Sequence, residues 1–131
     1  MVGLCIIPEG RRNKEYTEEQ KAEIYKVSII PHIEEYLSYA ERNMLGVMYI
    51  SVKHGLVFAD DLVDQSPKHL YSYNTAQIDI WSKVVAEQIF RECLKRMVSK
   101  VFLMVRRRGN YQPLMKELKV RGIQVITPFL S

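Results

Sequence analysis

The sequence predicts one α/β domain over residues 1–131, with a four-stranded, mainly parallel sheet between two layers of helices. Two observations predict it. Four short runs are apolar at consecutive positions: VGLCII (2–7), GVMYISV (46–52), VFLMV (101–105) and IQVIT (123–127). A strand apolar on both faces belongs inside a sheet covered on both sides. The segments between these runs carry helix signals, and strands alternating with helices imply parallel pairing through right-handed crossovers. The strand order expected is 2-1-3-4. A chain of 131 residues, 47% hydrophobic and 26% charged, suits one globular domain.

Each element has a local reason. After the first strand, Thr17-Glu18-Glu19-Gln20 reads as a capping box that starts a helix. Pro31 kinks or restarts it, with Ser28 placed to cap the second piece. Ile33, Tyr36, Leu37 and Ala40 form an apolar stripe that Asn43 ends. Residues 55–74, beyond the second strand, read as an irregular loop, and loops that long are often functional. A long helix follows Asn74 or Thr75, with Ile78, Trp81, Val85, Ile89, Cys93 and Met97 on its buried face. Asn110 is expected to cap the last helix, Pro113 to sit in its first turn and Gly122 to close it. Cys5 and Cys93 lack metal spacing and read as small core residues.

The chemistry is sought at the strand ends, because open parallel sheets bind ligands outside the carboxyl ends of their strands. The first strand is followed by Glu9-Gly10-Arg11-Arg12, the second by Ser51-Val52-Lys53-His54-Gly55, the third by Arg106-Arg107-Arg108-Gly109-Asn110. Three basic clusters, each with a glycine, meet at one edge. The sequence thus predicts a basic cleft for a phosphate-bearing ligand, a nucleotide or a nucleic acid. Arg11, Arg12, Lys53, Arg106, Arg107 and Arg108 would hold phosphate. Gly10, Gly55 and Gly109 would let the ligand approach the backbone. Ser51, His54 and Asn110 complete the predicted set, Asn110 at a helix N-terminus. A formal net charge of +4 agrees with an anionic partner.

The alternative is a small enzyme acting on nucleotides or nucleic acid at the same edge, with His54 or Asp61 as the acid–base group. A third reading is a structural protein that forms a homodimer through Tyr25, Tyr36, Tyr39, Tyr71 and Tyr73. Tyr71 and Tyr73 could equally stack on bases or pack their own loop down. Asp60, Asp61 and Asp64 with His54 and His69 could hold a divalent ion, but acids in a polar loop are more often solvated, and no metal is expected. Ser51-x-x-His54 lacks the elbow of a serine nucleophile. Neither a P-loop nor a G-x-G-x-x-G motif is present, so no nucleotide cofactor is expected. No apolar run nears the roughly 20 residues of a membrane helix, and the first charges follow the apolar start rather than precede it. A cytoplasmic location is the expectation.

Ser51-x-Lys53-His54-Gly55-Leu56 resembles a small uncharacterised α/β family of archaea, bacteria and their viruses. Its members have a hydrophobic strand ending in Ser-x-Lys-(Tyr/His)-Gly-Leu and then an acidic turn, matched here by Asp60-Asp61. Tyr25-x-x-Ser28 and Tyr39-Ala40-Glu41 resemble the segment leading into that strand. The chain's size is similar to that of an archaeal virus open reading frame product, whose place would be the host cytoplasm. Two positions depart from the family pattern. Cys5 is followed by Ile6-Ile7-Pro8 rather than Ser-Cys-x-Lys, and Leu70-Tyr71-Ser72-Tyr73 stands where Pro-Tyr-Asp is usual. The resemblance implies the fold and carries no activity.

Overall fold

A five-stranded, mainly parallel sheet forms the centre of the structure, a computed structural model that describes residues 1–131. Strand β1 (Leu4–Pro8) lies in its middle. Two short strands, β2 (Arg11–Arg12) and β3 (Ala22–Glu23), lead to one helical turn, α1 (Ile24–Val27). They are followed by β4 (Ser28–Ile29), α2 (Ile33–Arg42), β5 (Gly46–Ser51), β6 (Gly55–Phe58) and β7 (Leu62–Val63). A 3-10 turn at Leu70–Ser72 precedes the long helix α3 (Thr75–Arg96). The chain finishes with β8 (Lys100–Leu103), a 3-10 turn at Gly109–Tyr111, α4 (Gln112–Val120) and β9 (Gln124–Ile126).

The sheet order is β6-β5-β1-β8-β9. β1 pairs in parallel with β5 (Leu4 opposite Gly46) and with β8 (Leu4 opposite Val101), and β8 pairs in parallel with β9. Side chains alternate between faces along a strand. Leu4, Ile6, Met48, Ile50, Val101 and Leu103 therefore share one core with α3 and α4, while Cys5, Ile7, Tyr49 and Phe102 share the other with α1 and α2. The two thiols are free and lie in different cores, where burial pushes Cys5 up to about 12 and Cys93 to about 11.

The mixed α/β architecture matches expectation, but the four-strand count does not. Residues 55–58 return as β6, antiparallel to β5, with Ser51 opposite Gly55. The stretch read as one long loop thus holds β6, β7 and a 3-10 turn.

Three local expectations also change. Thr17 N–H does donate to Gln20 Oε1 (2.7 Å), yet no helix grows from this half-box. Residues 13–21 have no apolar stripe to bury, and packing of such a stripe is what makes most protein helices stable. Ser28 caps no helix. Its hydroxyl accepts from Gly10 N–H (2.6 Å), and α2 starts at Ile33 after a left-handed His32. Met97 is 92% exposed, because α3 stops there in a left-handed C-cap. The Asn74 start is as expected, with a full capping box to Gln77.

Candidate functional site

β1, β5 and β8 point the same way, so the segments after them emerge at one edge of the sheet. From β1 the chain passes to the α1–α2 face, and from β8 it passes to α4 on the other face. Adjacent parallel strands whose connections part in this manner leave a crevice beyond their carboxyl ends. A cleft of about 670 Å³ fills that crevice. Glu9, Gly10 and Arg11 line it after β1, and Arg107 with residues 109–111 line it after β8. Ile29, Pro31, Val52 and residues 69–71 complete the wall. Asn110 Nδ2 donates to the Leu70 carbonyl (3.2 Å), which ties the two 3-10 turns together across the cleft.

Two cations in the cleft are unengaged. Arg11 and Arg107 are exposed, and neither side chain makes an ion pair or a hydrogen bond within the chain. Tyr71 is 75% exposed and stacks on His69, with ring centroids 4.9 Å apart and planes 9° from parallel. A smaller cavity of about 10 Å³, also lined by Glu9, Gly10 and Arg11, adds Arg12 and Lys68 to this basic surface.

Glu9 is the acid among them, and it is held firmly. Its Oε1 accepts from Val52 N–H and from Ser66 Oγ (2.7 Å). Ser66 has given its only proton to Glu9, so its 3.1 Å contact with Ser51 Oγ has Ser51 as donor. Lys53 N–H donates to Ser66 Oγ and His54 N–H to Ser51 Oγ, both at 3.1 Å. The hydroxyls thus all point one way, from Ser51 through Ser66 to the carboxylate. Glu9 Oε2 accepts no hydrogen bond from the chain, and the residue lines the cleft. Burial raises the Glu9 carboxyl above the ordinary range, opposed by the Ser66 and Val52 hydrogen bonds and by His54 and His69. Burial, then the charge of Glu9, raises the Tyr111 hydroxyl.

The other predicted site residues are placed elsewhere or used differently. Lys53 Nζ and His54 Nε2 each lie 2.6 Å from one oxygen of Asp64, and that double pairing holds Asp64 below the usual carboxylate range. Arg106 pairs with Glu35 (2.6 Å), bonds the Tyr36 hydroxyl and covers the Phe129 ring. Arg12 pairs with Glu18 (3.5 Å), while Arg108 borders a separate cleft beside α4. Asp61 Oδ2 accepts from Phe58 N–H (2.9 Å) and so closes a turn. Ser51 is buried in the network behind Glu9. Asn110 caps no helix: it lies inside the 3-10 turn before α4, whose N-cap position is Tyr111, and its amide N–H donates to Leu70.

The glycines also serve the fold. A Cβ at Gly10 would stand 1.9 Å from the Ile29 carbonyl oxygen, so the close approach is by the chain itself. Gly55 has φ +72°, which a three-residue hairpin connection followed by a left-handed residue requires.

Sequence reasoning passed over Glu9, Ser66 and Tyr111. The one available signal was Glu9 as the first acid beyond a buried strand. No group of three His, Cys, Asp or Glu side chains is gathered to hold a metal ion. No helix is long and apolar enough to cross a membrane. In comparisons with known proteins, no family model, curated protein or solved structure matches this chain significantly.

Proposed function

We propose that the cleft between the ends of β1 and β8 binds a phosphate-bearing ligand, a nucleotide or a nucleic acid. One observation carries this reading: two arginines without internal partners, Arg11 and Arg107, flank a switch-point crevice that also holds an exposed aromatic face, Tyr71. An arginine fork fits phosphate oxygens, and a tyrosine ring fits a base. Paired arginines elsewhere contribute less, because binding would first have to break their existing ion pairs.

The test is fluorescence anisotropy with labelled single-stranded RNA and DNA and with a nucleotide, across salt concentrations. Removing one arginine that meets a phosphate should lower the salt slope by about one. Arg11→Ala with Arg107→Ala should therefore weaken binding and reduce the slope by about two. Arg106→Ala should leave the slope near the wild-type value. An unchanged slope in the double variant overturns the assignment.

A further inference from the structure

Resting on that reading, we infer that the cleft cleaves RNA by internal transphosphorylation, with Glu9 as base and His69 as acid. Both residues line the cleft and also the smaller cavity beside it, together with Arg11. A carboxylate, an imidazole and two free guanidinium groups around one anion site are the parts this reaction needs.

The step balances within the substrate. Glu9 Oε2 takes the proton of a ribose 2′-hydroxyl. The O2′–P bond forms and the P–O5′ bond breaks. The departing O5′ takes a proton from the His69 imidazolium. The products are a 2′,3′-cyclic phosphate and a 5′-hydroxyl, and solvent later restores the two protonation states. Arg11 and Arg107 would oppose the charge that grows on the nonbridging oxygens. The nucleophile is the 2′-hydroxyl, so DNA would bind without being cut.

The surroundings of Glu9 favour this role over simple charge pairing. Oε1 is fully used by Val52 N–H and Ser66 Oγ, which fixes the carboxylate and leaves Oε2 for the substrate. Ser51 and Ser66 are positioning residues, since both hydroxyls donate toward Glu9 and neither lines the cleft that holds Arg107. A base of this kind works best when its ordinary affinity for protons is increased, which burial does here. His69 is oriented by its stack on Tyr71, whose exposed ring can carry the neighbouring base.

The experiment incubates the full chain with a short mixed-sequence RNA in EDTA and reads the products by mass spectrometry. Cleavage to 2′,3′-cyclic phosphate ends is expected, and the same RNA with 2′-O-methyl groups should bind but stay intact. Glu9→Gln and His69→Gln should each slow cleavage by about 10²-fold or more while anisotropy shows RNA still bound. His69 is half-buried and makes no side-chain hydrogen bond within the chain, so His69→Gln keeps the test open if Glu9→Gln fails to fold. RNA that is bound yet uncut, or cut equally by wild type and His69→Gln, overturns this inference and leaves the binding function standing. Failure to bind RNA, DNA or nucleotide overturns both.

Discussion

Glu9 is held in a place unfavourable to its charge. Burial raises its pKa, and the hydrogen bonds and histidines around it only partly offset the effect. A carboxyl whose folded pKa lies above its unfolded value binds more protons when folded, so stability falls as pH rises through that window. Glu9→Gln keeps the shape and removes the ionisation. Relative to this variant, the wild type should lose stability from about pH 4.5, the ordinary value, up to the raised folded pKa, and the gap should then stay constant. Urea unfolding at a series of pH values reads the gap directly. A gap independent of pH would mean that Glu9 titrates as it does in the unfolded chain. None of this is legible in Pro8-Glu9-Gly10, because the donors come from Val52 and Ser66, 43 and 57 positions away. The same holds for the arginines. Arg106 and Arg107 are adjacent and alike in sequence, yet only Arg106 meets Glu35.

At the scale of elements, the Ser51–Gly55 connection does more than end a strand. Its positive φ at Gly55 turns the chain into β6, and Gln88 Oε1 from α3 accepts from Leu56 N–H (3.0 Å). A Cβ on Gly55 would stand 2.4 Å from that same oxygen. Gly55→Ala should therefore cost about 1 kcal/mol or more, from backbone strain and from displacing Gln88. A urea midpoint equal to wild type would show that the hairpin accommodates a side chain. The elements legible in sequence were those with continuous or periodic apolar residues: the four apolar strands, of which β9 is only half-buried at the sheet edge, and α3 with its capping box. β6 was missed because four residues beside a glycine resemble a strand end. The helix expected at Thr17 was an error of the opposite kind, a correct local signal with no apolar face behind it.

For the molecule as a whole, the convergence of strand-end segments was legible from topology, whereas the division of their charges between cleft and ion pairs was not. Topology also bears on self-association. The outward N–H groups of β6 are already taken, Leu56 by Gln88 and Phe58 by Asp61, so this edge has little left to offer another strand. Of the tyrosines considered for an interface, Tyr36 is buried and Tyr39 packs on Phe102 and Phe129, whereas Tyr25 and Tyr71 are exposed, Tyr71 at the cleft. Light scattering at micromolar concentration should therefore give a mass near 15.4 kDa. Twice that mass would point to a face other than β6, the first candidate being Ile80, Val84 and Leu94, all exposed on α3. The cleft has one further property. Its walls are drawn chiefly from residues 9–11, from 69–71 and from 107 and 109–111, the last group late in the chain. During synthesis the first wall leaves the ribosome long before the last, and Arg11 has no crevice to face until β8 has joined β1. A truncated or half-made chain therefore carries Arg11 with neither Arg107 nor the cleft, and a ligand that needs both arginines would be met by the finished chain alone.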